Sequence, residues 1–281
     1  MMPANRGLRF FAPLFLTYNK FYRRRIHYIV IGGWLDTFLE SHKWLVELLK
    51  KFDAIYVESE TMKTALCERG FDNAVVMHNF KKLNSLSENE LEYPDGEPYK
   101  LCTFSRVMKE KGIEDAIDAV KTVNSRLGRT VYTLDIFGQV DKDYEERFSE
   151  LKKTFPDFIR CGGAIDADRS TETLKSYFAL LFPTYYRGEG FAGTLIDAMS
   201  AGVPVIASDW KYNSEFVVPG RTGVIIKNCN LENLAKVLAD IADDPEKWNS
   251  MRLSALREAE KYSPEKASRP LIDRINGRDC L

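Results

Sequence analysis

The residues with the greatest chemical reach lie between positions 183 and 199. The run Pro183-Thr184-Tyr185-Tyr186-Arg187-Gly188-Glu189-Gly190-Phe191-Ala192-Gly193-Thr194-Leu195-Ile196-Asp197-Ala198-Met199 puts three glycines and two carboxylates into one loop and the helix after it. Gly188, Gly190 and Gly193 let backbone approach a ligand closely. A helix that starts near Ala192 has first-turn N–H groups with no helical partner. Those of Ala192, Gly193, Thr194 and Leu195 form an anion site suited to a diphosphate. Glu189 precedes that site and Asp197 lies about one turn inside the helix. Carboxylates on either side of a phosphate site can hold the hydroxyls of a sugar and of a ribose. The plainer reading is a carboxylate near a helix cap and another on a solvated helix face.

A second cluster is Ser105-Arg106-Val107-Met108-Lys109-Glu110-Lys111-Gly112, which follows an apolar run at 100–104. Arg106 and Lys111 on a strand-end loop would neutralise a diphosphate, most strongly as it departs. A surface ion pair is the plainer role for Arg106 and Lys111, and an exposed charge for Lys109. Tyr185 and Tyr186 suit stacking on a sugar or base and suit core packing equally well.

These clusters require strand ends to hold them. Apolar runs predict strands over 26–31, 54–57 and 74–77, then over 100–104, 132–137, 158–160, 179–182, 204–207 and 223–226. Helical periodicity predicts helices over 37–52 and 60–68, then over 113–127, 143–154, 173–177, 194–201, 231–240, 245–261 and 264–275. Strand–helix alternation of this kind gives parallel sheets covered on both faces. Ligands bind such sheets at the carboxyl ends of the strands. Between the two series, residues 85–98 are acidic and polar and carry Pro94, Gly96 and Pro98, as a linker does. The expected domains are a first lobe over 1–84, this linker, and a full doubly wound domain over 99–281. The first lobe is expected to be thin, with three strands and an opening helix.

Composition narrows the field. Of 281 residues, 44% are hydrophobic and 29% charged, enough for two lobes with separate cores. Forty basic against 41 acidic residues leave a formal net charge of -1, so no global signal for nucleic acid exists. The five cysteines, Cys67, Cys102, Cys161, Cys229 and Cys280, are scattered without metal-ligand spacing and read as reduced thiols of a cytoplasmic protein. No apolar run is long enough to span a bilayer. No signal-peptide pattern opens the chain. Before Asp36 there is no carboxylate, yet Arg6, Arg9, Lys20, Arg23, Arg24 and Arg25 interleave with Phe10, Phe11, Leu14, Phe15, Phe21 and Tyr22. Such a helix either packs on the lobe with its basic face in water or lies on an anionic membrane at its inner face.

The order of basic loop, Phe137-Gly138, Gly162-Gly163, Glu189-Gly190-Phe191 and Asp197 resembles family 4 of the retaining glycosyltransferases, of the glycosyl transferases group 1 kind, over 99–281. That resemblance implies an α/β, GT-B-like fold of two Rossmann-type parallel-sheet lobes. It also implies transfer of a sugar from a nucleotide-diphosphate donor, with UDP favoured, to a saccharide or lipid-linked acceptor in polysaccharide or glycolipid assembly. Neither metal nor cofactor is expected. By the same resemblance Arg106 and Lys111 meet the diphosphate, Glu189 faces the reacting carbon, and Asp197 binds the ribose. Gly163, Ala164 and their neighbours meet the base; Gly190, Phe191 and the helix start line the donor. Two departures stand out: Asp197 replaces the usual Glu, and Ala192 replaces the loop's second glycine.

The first lobe resembles the family more weakly. Ile26-His27-Tyr28-Ile29-Val30-Ile31-Gly32-Gly33-Trp34 resembles a strand and loop that often end in His-Asp, and Gly32 and Gly33 stand where that His would be. His27, inside the strand, reads as a packed histidine. The family's opening strand and glycine-rich loop have no counterpart, so the first lobe is expected to lack its start. Two rivals follow: a nucleotide-sugar-binding or partner subunit without turnover, and another GT-B enzyme such as an epimerase.

Overall fold

The computed structural model describes Met2 and residues 5–82, 84–227 and 230–278. Cys229 and Cys280 lie outside the described residues. Two compact units emerge, each built on a parallel sheet with helices packed on it.

The first unit holds residues up to Lys81, the short stretch Gly188–Phe191, and the chain from Tyr262 onward. Its sheet has three parallel strands in the order β1 (His27–Ile29), β2 (Ala54–Val57), β3 (Ala74–Val76). β2 is buried along its whole length, as a central strand covered on both faces must be. The helix Glu60–Glu68 starts at Ser59, whose hydroxyl accepts the Met62 N–H at 3.1 Å. His27 shares a hydrogen bond with the Tyr56 hydroxyl at 3.1 Å, and partial burial lowers its pKa. The opening helix Asn5–Tyr22 buries Leu8 and Ala12 and exposes Phe10, Phe21 and Tyr22 at 71%, 81% and 68%. No described helix is long and apolar enough to cross a membrane.

The second unit comprises Lys82–Arg187 and Ala192–Lys261. Its sheet is β4 (Tyr99–Phe104), β5 (Tyr132–Phe137), β6 (Ile159–Gly163), β7 (Ala179–Phe182), β8 (Val205–Ser208) and β9 (Gly223–Ile226), all parallel. Their spatial order is β6-β5-β4-β7-β8-β9. β7 and β8 are wholly buried, which accounts for the apolar runs Ala179–Phe182 and Val205–Ala207. On one side Ile113–Leu127 packs against Leu231–Asp243, while Gly193–Ser200 packs against Met251–Ala259. The buried Arg252 gives its guanidinium to the carbonyls of Tyr177 and Lys175 at 2.9 and 2.8 Å, a substitute for water at a buried helix end.

Several expectations need correction. The single helix over 37–52 is two, Leu35–Ser41 and Trp44–Leu49. His42 leaves helical geometry at φ -132° and ψ 52°, its ring nitrogen bonding to the Phe38 carbonyl at 2.9 Å and its ring stacking on Phe38. The helix over 245–261 breaks after Asn249, and that over 264–275 breaks at Ser268, two residues before Pro270. The helix expected over 173–177 is Ser170–Leu174. Within residues 85–98, Leu86 donates to the Ser200 carbonyl, and the Pro94 carbonyl accepts from Asn249. The chain beyond Tyr262 groups with the first unit, not with 99–261.

Candidate functional site

In the second unit β4 and β7 are neighbours, with β5 and β6 on one side and β8 and β9 on the other. The strand order reverses between them, which opens a crevice at their carboxyl ends. Arg106 follows β4 there, and the run through Thr194 follows β7. Three close approaches hold this edge together. Gly112 adopts φ +70°, and a Cβ on it would lie 2.3 Å from the Pro183 carbonyl oxygen. Gly138, at φ +139°, would place a Cβ 1.8 Å from the Ser105 oxygen. The Thr194 hydroxyl donates to the Phe104 carbonyl at 2.5 Å, bringing the start of Gly193–Ser200 to the end of β4.

Around that edge the expected phosphate residues take distinct places. The Arg106 side chain is exposed and stands 3.5 Å from Asp141. Lys111 ends a short 3-10 turn, its ammonium 5.4 Å from the Phe182 ring centroid and 5.2 Å from that of Tyr186. Gly163 closes β6 at φ +71° with open space where a Cβ would point, and Ala164 beside it is exposed. At the helix start Ala192 has no side-chain acceptor, and Gly193 also faces open space. One expectation changes here. The Leu195 N–H donates to the Ala192 carbonyl at 3.0 Å, so Ala192, Gly193 and Thr194 are the helix-start amides left to offer an anion. Asp197, 6% exposed, accepts the Ser170 hydroxyl at 2.8 Å, which ties the segment after β6 to this helix. Tyr186 gives its carbonyl to the Trp210 indole N–H at 2.7 Å, and Tyr185 is half exposed.

Glu189, Gly190 and Phe191 belong to the first unit. Glu189 is 6% exposed and Phe191 5%, the latter ring 5.0 Å from that of Tyr262. A residue that the sequence reading passed over supports this loop. Glu58 follows β2, is 7% exposed, and accepts the Phe191 N–H at 3.2 Å. Burial pushes its pKa up, against the pull of the N–H groups of Phe191 and Gly32. A carboxylate at the carboxyl end of a central parallel strand was the available signal. Its partner lies 133 residues away, which no local pattern reveals.

Comparison with known proteins places the chain in a family. Residues 88–257 match the pattern of the family described as Glycosyl transferases group 1. An uncharacterized glycosyltransferase of Methanocaldococcus jannaschii is 21% identical over 207 residues, covering 70% of this chain and 51% of that protein. The poly(glycerol-phosphate) alpha-glucosyltransferase of Bacillus subtilis is 27% identical over 169 residues, covering 59% of this chain and 24% of the relative. The chain thus spans about half or less of these curated relatives. Among solved structures, Anabaena HepE in complex with UDP superposes with a TM-score of 0.77 at 16% identity, over 98% of this chain and 77% of that one. The fold is accordingly that of the GT-B glycosyltransferases.

Proposed function

Since the chain belongs to the family Glycosyl transferases group 1, we propose that it transfers a sugar from a nucleotide-diphosphate donor to an acceptor hydroxyl with retention of anomeric configuration. The observation that carries this reading is the β4/β7 edge, where Arg106, Lys111 and the first turn of Gly193–Ser200 follow adjacent strand ends. Cations and amides so placed suit a departing diphosphate. A UDP-sugar is the favoured donor, supported by the UDP in the Anabaena complex. A saccharide or lipid-linked acceptor, in polysaccharide or glycolipid assembly, completes the reading.

The reaction runs as one exchange at the anomeric carbon. Its bond to the diphosphate oxygen breaks while a bond to the acceptor oxygen forms on the same face. The leaving phosphate oxygen takes the acceptor's proton. Arg106, Lys111 and the amides of Ala192, Gly193 and Thr194 stabilise the charge that develops on the leaving group. Glu189 holds donor-sugar hydroxyls and faces the positive charge at the reacting carbon. Asp197 holds the ribose, and the backbone at Gly163 and Ala164 meets the base.

The test is release of nucleoside diphosphate from a panel of UDP-, GDP- and ADP-sugars, with and without saccharide acceptors, and product configuration by NMR. Glu189→Gln should lower turnover roughly 100-fold or more, the scale of one lost electrostatic contact in a desolvated site. UDP affinity should stay near that of the unaltered protein. Normal turnover in this variant would remove Glu189 from the chemistry. Donor binding without release in any pairing would instead favour a nucleotide-sugar-binding subunit.

The same proposal extends to location, a cytoplasmic protein held at an anionic membrane face. Its support is the exposure of Phe10, Phe21 and Tyr22 on a helix flanked by arginines and free of carboxylates. Co-sedimentation with phosphatidylglycerol vesicles but not phosphatidylcholine vesicles is the expected result. Equal or no sedimentation with both would exclude this contact.

A further inference from the structure

The chain on both sides of Gly188–Phe191 belongs to the second unit, yet these four residues group with the first. Their seat there is specific. The Glu58 carboxylate reaches two segments at once: Oε2 accepts the Phe191 N–H at 3.2 Å, and Oε1 accepts the Gly32 N–H at 3.5 Å. Gly190 lies so close that a Cβ on it would be 2.9 Å from Glu58 Oε2, 3.1 Å from Gly32 Cα and 3.3 Å from Gly33 N. Glycine at position 190 lets the two turns meet over the carboxylate. Glu58 itself is held from behind, because His78 Nδ1–H donates to its carbonyl at 2.9 Å and Ser59 caps the following helix. On the far side of the loop, Phe191 packs on Tyr262.

The chemistry of the side chain explains the choice. Burying an ionisable group is costly unless its hydrogen bonds repay desolvation, so packing alone would favour an apolar residue. Two N–H groups from separate segments need two acceptors on one short, forked side chain. A carboxylate has two; an amide has one acceptor and one donor. Aspartate would fall one methylene short of the loop.

We propose that Glu58 is a positioning residue, whose carboxylate clasps the Gly32-Gly33 turn to the Gly188–Phe191 loop and so fixes where Glu189 is presented. The role rests on the reading of Glu189 given above. Backbone placement at this loop matters because misplacing a reacting geometry by about 1 Å can cost on the order of 100-fold in rate.

Two measurements on the full chain test it. The first is hydrogen–deuterium exchange, which needs no turnover. Glu58→Ala should speed exchange at Phe191 by about tenfold or more, since its N–H loses a buried acceptor, while β2 and β7 keep their protection. Unchanged exchange at Phe191 would overturn the clasp. The second is steady-state turnover with the best donor. Glu58→Ala should lower kcat by roughly 10- to 100-fold with UDP affinity within about twofold. Glu58→Gln, which keeps one acceptor, should fall between Glu58→Ala and the unaltered protein in both measurements. Faster exchange with unchanged kcat would overturn the positioning role. Normal turnover in Glu58→Ala beside a crippled Glu189→Gln would sink the role of Glu58 alone. An unaffected Glu189→Gln would sink the functional reading and this role with it. If Glu58→Ala fails to fold, Glu58→Gln carries both comparisons.

Discussion

The hydroxyl of Ser170 donates to Oδ1 of Asp197 at 2.8 Å, so the second carboxylate of the 183–199 run is already aimed by a neighbour. Asp197→Asn keeps the shape and an acceptor for Ser170 but loses the charge. Hydrogen bonds to charged groups contribute about 1.5–3 kcal/mol, so UDP affinity should drop roughly 10- to 150-fold. Ser170→Ala should cost less, because it only frees the carboxylate to turn. Calorimetry with UDP and 2′,3′-dideoxy-UDP checks the assignment. If the Asn penalty persists with the dideoxy ligand, Asp197 does not hold the ribose.

Arg106→Ala and Lys111→Ala should each weaken UDP far more than uridine, and both effects should shrink as salt rises. Arg106 pairs with Asp141 at an exposed position, so its removal should leave Tm almost unchanged. Lys111 sits beside the rings of Phe182 and Tyr186, so its loss should also disturb Tyr186 fluorescence or NMR shifts. Equal losses for UDP and uridine would take both residues out of the phosphate site.

Gly112→Ala should lower Tm by several degrees and weaken UDP binding, since the added methyl meets the Pro183 backbone and not a movable side chain. Gly128→Ala is the control. Its φ of +65° carries similar backbone strain, but nothing lies within 4 Å of the new methyl. Left-handed strain alone costs about 1–2 kcal/mol. The excess loss at Gly112 over Gly128 measures the closeness of β7 to this turn, and no excess would refute it.

The pH dependence of stability should report on Glu58, whose pKa burial raises above its ordinary 4.5. A carboxyl that holds its proton more tightly when folded stabilises the fold at low pH. That contribution fades as pH climbs from 4.5 through the raised folded value. The Tm difference between the unaltered protein and Glu58→Gln should therefore be more favourable to the former near pH 4.5 than near pH 7.5. Glu189 adjoins Gly190 in the chain, and His78 bonds to the Glu58 carbonyl. Repeating the scan in Glu189→Gln and His78→Gln separates their contributions. A pH-independent difference would show that Glu58 titrates normally.

The two sheets were legible because their central strands are buried along their length, so 54–57, 179–182 and 204–207 read as apolar stretches between polar turns. Interruptions within helical patterns were not. The amphipathic period runs on through His42, Ser250 and Ser268, and at each break the side chain bonds to a nearby carbonyl. At the site, Arg106, Lys111 and Asp197 stood out as charges just beyond or within elements that end at one sheet edge. Glu58 did not, because its meaning comes from Gly32 and Phe191, neither near it in the chain. The committed state of the Leu195 amide was equally hidden, since only the geometry of the turn decides which first-turn N–H groups stay open.

The interleaved course of the chain bears on how this protein can be dissected. Four residues of the 183–199 run and everything from Tyr262 onward are assigned with the first unit. A fragment starting at residue 99 would therefore carry Phe191 and Tyr262 without β2, Gly32 or the Glu58 carboxylate. A fragment ending near residue 84 would carry that carboxylate with its loop partner gone. Complementation from two separately expressed halves would have to bring the Glu58 carboxylate back to the Phe191 N–H, a bond that lies within the first unit but joins residues 133 apart in the chain.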